Sequence, residues 1–359
     1  MGRKTLAVAT MSGKHFSDAG ISEMNGPLVV AVGLALAFAA TNGVHDAANA
    51  VATLVATRGA RPVTAVALAA IGNIVGPLFV GGAVASTVAG IVTLPSHEIV
   101  PVVGAALSGA IVWNLVTWWR GLPSSSGHAL LGGLVGAALA HGGASAVRWG
   151  GFKGLRPVGV LGVMGVLAVA PLLGFAAGLA LDRSARRAVR RATRRLRGPV
   201  RGGQWIMSEA LAFAHGANDA QKSVGVIAVL LLAEGETRRL AAPTWAVLAC
   251  AAALTLGTTL GGWPIMHTLG RRIVSLRPID ALASQTASAI VLLGASVLGA
   301  PVGTTQVVAS SVIGTGAGRR RWRHVHWPVV RAMLTAWLVT IPAAGACAAL
   351  ALLPWRWLT

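Results

Sequence analysis

The sequence predicts an all-α, polytopic membrane protein. It reads as two inverted repeats of about five membrane segments each, with broken or re-entrant helices. Three observations carry that class. Of 359 residues, 55% are hydrophobic and only 11% charged, against about a quarter charged in soluble domains. Apolar runs repeatedly reach the roughly 20 residues that cross a bilayer as helix. A costly polar phrase is written twice, as Asn42-Gly43-Val44-His45-Asp46-Ala47-Ala48-Asn49 and as His215-Gly216-Ala217-Asn218-Asp219-Ala220-Gln221-Lys222. A charge at bilayer depth costs about 3 kcal/mol on insertion scales, so such residues face a protein interior or a wet cavity. One copy in each half is the pattern of a transporter assembled from internal repeats.

The elements follow in order. Residues 1–26 are polar and mixed, with no short apolar core before a cleavage site. They read as a disordered extension without a removable signal peptide, and Met24 is an alternative start. The first repeat, 27–182, holds segments 28–56, 63–92, 99–119, 123–140 and 157–181. An Arg-rich linker, 183–203, carries nine arginines from Arg183 to Arg201 and suits a solvated or lipid-surface helix. The second repeat, 204–359, holds segments 205–233, 244–269, 280–298, 301–318 and 328–353. Trp113, Trp118, Trp119, Trp205, Trp327, Trp355 and Trp357 fall near segment ends, as interfacial belts require. The 46 glycines suit close helix packing, for example Gly132, Gly133 and Gly136. Asp280 reads as a helix cap. Cys250 and Cys347 have no metal-ligand spacing and read as packing residues.

Charge sets the orientation. The formal net charge is +20, which in a soluble chain would suggest nucleic acid. Here the basic runs flank apolar spans, so they read as cytoplasmic loops. Arg58 and Arg61, Arg120, the linker, Arg271 and Arg272, and the cluster Arg319 to Arg323 fall on one face. Both termini then lie outside. Arg148, Lys153, Arg156, Arg238 and Arg239 land on the outer face and run against the rule. Five segments per half make the halves inverted.

A second phrase is also duplicated: Pro123-Ser124-Ser125-Ser126-Gly127-His128 and Pro301-Val302-Gly303-Thr304-Thr305-Gln306. Proline disfavours helix just before it and suits the first helical turn. Each phrase therefore predicts a break followed by a fresh, hydroxyl-lined helix N-terminus, which attracts oxyanions. Breaks are expected in the Asp phrases too, at Thr41-Asn42-Gly43 and Ala214-His215-Gly216, where unwound backbone could line a cavity. Asp46 and Asp219 cannot attract an oxyanion directly, so each is expected to hold a cation or proton that travels with it. Lys222 lies one turn after Asp219 and can pair with it. Asn49 stands at the matching place in the first repeat, so the two sites differ. His45, His128 and His215 are candidates for proton handling or hydrogen bonding.

At these residues the chain resembles the inorganic phosphate transporter (Pit) family, in its bacterial low-affinity branch. Asn42 to Thr53 resembles the first family signature, and His215 to Asp219 its second copy. Pro123 to His128 and Pro301 to Gln306 resemble the paired Pro-Ser/Thr motifs. The resemblance implies phosphate symport in the cytoplasmic membrane, with protons and with metal–phosphate as a further cargo, by alternating access around a midplane site. It implies phosphate binding by Ser125, Ser126, His128, Thr304, Thr305 and Gln306. Asp46, Asn49, Asn218 and Asp219 would take the co-ion or proton, with Asn42, His45 and Lys222 in support. Gly127, Gly303 and Gln306 depart from the residues usual in the family, and each alters a donor. The implied partners are inorganic phosphate, protons or a metal cation, and the lipid bilayer. No nucleic acid, cofactor, dedicated metal or enzymatic activity is expected, and a homodimer stays open. The alternatives are a sulfate permease on the same scaffold, a passive anion channel, and a membrane-embedded hydrolase. In-phase duplication argues against the hydrolase, since one active site rarely needs every element twice.

Overall fold

A computed structural model describes residues 24–122, 124–190, 196–260, 273–318 and 325–358. Expectations for residues 1–23, Pro123, Arg271, Arg272 and the Arg319 to Arg323 cluster lie outside the described residues. Eleven α-helices are described: α1 Gly26–Ala56, α2 Pro62–Phe79, α3 Ala83–Ala89, α4 Ser96–Trp119, α5 Ser126–Gly142, α6 Gly159–Ala188, α7 Arg197–Ala233, α8 Thr244–Leu260, α9 Pro278–Val297, α10 Thr304–Gly318 and α11 Trp327–Leu358. Among the described residues, seven apolar stretches are long enough to cross a membrane. They are α1, α2, α4, α6, α9, α11, and α5 continued to Ala146.

Local chemistry starts several of these helices. Asn25 caps α1 by accepting from the Leu28 N–H, with Pro27 in the first turn. Ser125 caps α5, accepting from the His128 N–H. Asp280 closes a capping box at α9 by accepting from the Arg277 N–H at 2.7 Å, as its position led us to expect. The surface is apolar, with Leu172, Leu256, Leu338 and Leu350 exposed, while Asn42, Asp46, Asp219 and Lys222 are buried. That inversion of the soluble pattern is what lipid as solvent requires.

The helices pack in matching sets across the two halves. α1 packs on α8 as α7 packs on α2, and α5 on α11 as α10 on α6. α4 packs on α11 as α9 packs on α6, and α1 on α4 as α7 on α9.

The structure corrects the sequence reading in three places. The Asp phrases do not unwind: α1 and α7 run as unbroken helices of 31 and 37 residues. Their glycines serve close packing instead. A Cβ at Gly43 would sit 2.0 Å from the Leu254 carbonyl oxygen, and one at Gly216 would sit 2.6 Å from that of Asn73. The expected span 63–92 is divided into α2 and α3 around Val80 to Gly82. The flanks of the Arg-rich stretch are helical, α6 running to Ala188 and α7 starting at Arg197, since arginine is a good helix former. Finally, a small antiparallel hairpin, β1 Gly151–Lys153 and β2 Arg156–Val158, interrupts the all-helical plan. Its turn needs Gly154, whose φ of +63° suits a two-residue hairpin loop.

Candidate functional site

The site forms where α1 and α7 meet the starts of α5 and α10. α10 has 15 residues and rises about 22 Å, short of the ~30 Å hydrocarbon core. Its N-terminus therefore ends inside the bundle. Thr304, its first residue, donates towards Asp46 Oδ2 at 3.3 Å and Asp219 Oδ2 at 3.1 Å. One hydroxyl thus reaches carboxylates from both halves. Thr305 donates to Asp46 Oδ1 at 2.6 Å. Ser126, opening α5, donates to Asp46 Oδ2 at 3.2 Å. All of these side chains are buried.

The two carboxylates have different neighbours one turn on. Asn49 donates to Asp46 Oδ1 at 2.9 Å and reaches the Thr304 and Thr305 hydroxyls. Lys222 donates to Asp219 Oδ1 at 2.5 Å and to the Val302 carbonyl at 2.8 Å. His215 Nε2 lies 2.9 Å from Asp219 Oδ2, and its Nδ1 lies 2.9 Å from Asn73 Oδ1. Asn73 in turn donates to Thr258. One oxygen each of Asp46 and Asp219 and one nitrogen of His215 lie within 4.8 Å of one another, a cluster that can hold a cation.

His45 points elsewhere. Its Nε2 lies 3.2 Å from Ser124 Oγ and 3.4 Å from Thr117 Oγ1, while Nδ1 lies 3.4 Å from Asp46. Asn42 is fully buried, and neither polar atom finds a hydrogen-bond partner among the described residues. Asn218 is not on the carboxylates. It donates to the Ser296 hydroxyl and the Ala300 carbonyl, holding the turn between α9 and α10.

Ser125, His128 and Gln306 make a second group beside Lys222. A Cβ at Gly127 would lie 3.3 Å from Lys222 Nζ, and one at Gly303 would meet both Ser125 Oγ and Gln306 Oε1 below 2.8 Å. Gly127 and Gly303 therefore leave room for Lys222, Ser125 and Gln306. His128 Nδ1 and Gln306 Oε1 are buried without hydrogen-bond partners among the described residues. Residues the sequence reading passed over are Thr117, Asn73, Thr258 and Ser296. Asn73 had a signal, an amide inside an apolar span. The hydroxyls had none, because in helices they satisfy themselves on preceding carbonyls.

Gln221 shows how the bundle tolerates broken backbone. Its amide donates to the Val80 carbonyl at 2.9 Å and accepts from the Val84 N–H at 3.2 Å, bridging the break between α2 and α3. With Asn218 and Lys222 it satisfies non-helical backbone at two breaks, as membrane depth demands.

Fold and site together define a multi-pass membrane protein with a buried, two-carboxylate polar centre fed by helix N-termini. The phosphate transporter family model matches residues 42–198 and 183–348. A Rhizobium meliloti (strain 1021) protein described as a "Probable low-affinity inorganic phosphate transporter" is 41% identical over 90% of this chain and 95% of its own. A Bacillus subtilis (strain 168) protein of the same description is 36% identical over 88% and 93%. The solved structure of "The sodium-dependent phosphate transporter" superposes with a TM-score of 0.82 at 22% identity, covering 93% of this chain and all of that one. The chain belongs to the phosphate transporter family, whose members are transporters and not enzymes, and is a multi-pass protein of the cell membrane.

Proposed function

We propose that the protein is an inorganic phosphate symporter, coupled to protons, that takes phosphate free or as a metal–phosphate complex. It works by alternating access between two inverted halves, with the Arg-rich linker on the cytoplasmic side. The observation that carries this reading is the bridging of Asp46 and Asp219 by the Thr304 hydroxyl. Two carboxylates against one Lys222 ammonium leave the pocket negative by one charge before any histidine is protonated. A bare dianion entering such a pocket would be repelled and desolvated at once, at a cost of several kcal/mol. Cations must enter with it. The Asp46, His215 and Asp219 cluster is where they would sit. Ser125, His128 and Gln306, with Lys222 beside them, supply the donors and open valences for phosphate oxygens. Protonated phosphate can donate to a carboxylate, which sulfate cannot do.

The test is uptake of labelled phosphate by purified protein in liposomes under an imposed proton gradient, with a sodium gradient as a parallel arm. Accumulation above the external concentration that collapses with the proton gradient is expected. Equilibration without accumulation would make the protein a channel. Accumulation driven by sodium alone would replace the proton as co-ion, and stronger uptake of sulfate than phosphate would change the cargo.

A further inference from the structure

Three of the five outer-face cations that run against the positive-inside rule come together in the structure. α6 runs from the hairpin to the Arg-rich linker, so the hairpin lies at the opposite end of the bundle from that linker. Arg148, Lys153 and Arg156 line one cavity of about 290 Å³, walled on the other side by Ser86, Thr87 and Gly299. That volume is several times the ~30 Å³ share of a liquid water, so a hydrated oxyanion fits.

Two further observations make this arrangement unlike a scatter of surface charge. Lys153 and Arg156 are direct cross-strand partners, a placement in which like charges destabilise a hairpin. None of the three cations has a carboxylate within 4.0 Å among the described residues. The frame holding them is nevertheless fixed. The Arg148 N–H donates to the Ile91 carbonyl, and its own carbonyl accepts from Val160. A Cβ at Gly159, where φ is +65°, would sit 2.3 Å from the Arg148 oxygen.

The cavity wall is linked along the chain to the polar centre. Gly299 O accepts from Thr87 at 2.7 Å. The chain then passes Ala300, held by Asn218, and Val302, held by Lys222, to Thr304 between the aspartates. Four residues separate Gly299 of the cavity wall from Thr304, whose hydroxyl touches both halves.

We propose that Arg148, Lys153 and Arg156 form a capture site for a phosphate oxyanion at the outer mouth, beside the turn that leads to Thr304. This rests on the reading of phosphate as cargo. The bound group is an oxyanion of phosphate, either free in solution or on a lipid headgroup. Three unpaired cations attract the free anion and repel a metal cation, so the site favours free phosphate over a neutral metal–phosphate complex. Clustered charge at a cleft mouth raises local anion concentration and on-rate, and salt removes the effect.

The experiment compares the parent chain with R148Q and K153Q/R156Q, and with the charge-keeping K153R/R156K. Right-side-out liposomes of zwitterionic lipid are assayed at about 10 mM and about 300 mM salt, where the screening length falls from ~30 Å to under ~8 Å. The expected result is a KM for free phosphate raised roughly three- to tenfold in the glutamine variants at low salt. The effect falls on KM rather than maximal rate, converges with the parent at high salt, and is absent from K153R/R156K. An equal KM at both salts overturns the site, as does a loss of maximal rate with lower melting temperature. A KM change seen only when anionic lipid is added assigns the cavity to headgroups and overturns capture of the free ion. If the parent itself accumulates no phosphate, the cargo reading fails instead.

Discussion

At the residue scale, the two aspartates are chemically alike but differently mortgaged to their neighbours. Asp219 neutralises Lys222, whose side chain is only 1% exposed, whereas among the described residues Asp46 takes hydrogen bonds from Asn49, Ser126, Thr304 and Thr305 and meets the edge of His45. Removing one partner of a buried ion pair costs about 3–5 kcal/mol. Asp219→Asn should therefore lower thermal stability markedly more than Asp46→Asn, while both abolish uptake. Adding Lys222→Met to Asp219→Asn should restore the melting temperature without restoring transport. Equal melting temperatures for the two single variants would contradict the assignment. Thr304→Val keeps shape and removes the shared hydroxyl. One lost hydrogen bond to a charged group is worth about 1.5–3 kcal/mol, so uptake should fall at least about tenfold while membrane expression holds.

At the element scale, α1 and α7 carry charge through the bundle because their glycines let neighbours approach. Gly43 touches the backbone of α8, and Gly257 of α8 returns the contact, since a Cβ there would lie 1.9 Å from the Ala40 oxygen. Gly33 lies on the same helix with nothing within 4 Å of a would-be Cβ. Gly43→Ala should separate α1 from α8, cost about 1–3 kcal/mol as overpacking, and depress transport. Gly33→Ala should be neutral or slightly stabilising, because alanine is the better helix former. Detergent-solubilised melting curves of the two variants make the comparison. A neutral Gly43→Ala would show that the helices can part without loss.

At the scale of the whole molecule, the polar centre is buried, with Asp46, Asp219 and Thr304 each 1% exposed or less. Near the linker end, Arg186 of α6 bonds Asp182 at 2.8 Å on its own helix and also Asp280 of α9. This clamp joins the two halves of the chain, and Asp182 also packs against Gly318 at the end of α10. Arg186→Gln would take the guanidinium away from two buried carboxylates, Asp182 and Asp280. The expected loss is about 3 kcal/mol, at the low end for buried pairs because Arg186 is 29% exposed. Arg186→Lys should recover part of it. The melting temperatures of the two variants provide the measurement.

Much of this was legible in the chain itself. Ten apolar segments, two costly phrases and two proline-led tips announced a multi-pass bundle, because a bilayer admits few ways to bury charge and satisfy backbone. The pairing of Asp219 with Lys222 followed from helical spacing alone, which also set Asn49 at the matching place after Asp46. Sequence misjudged the glycines of the Asp phrases, which read as helix breakers until the packing of α8 and α2 against them was known. It also could not show that Thr304 would stand between the two carboxylates, or that Arg148, Lys153 and Arg156 would share a cavity. Those juxtapositions join residues far apart in the chain, and only the packing of one half against the other decides which side chains meet.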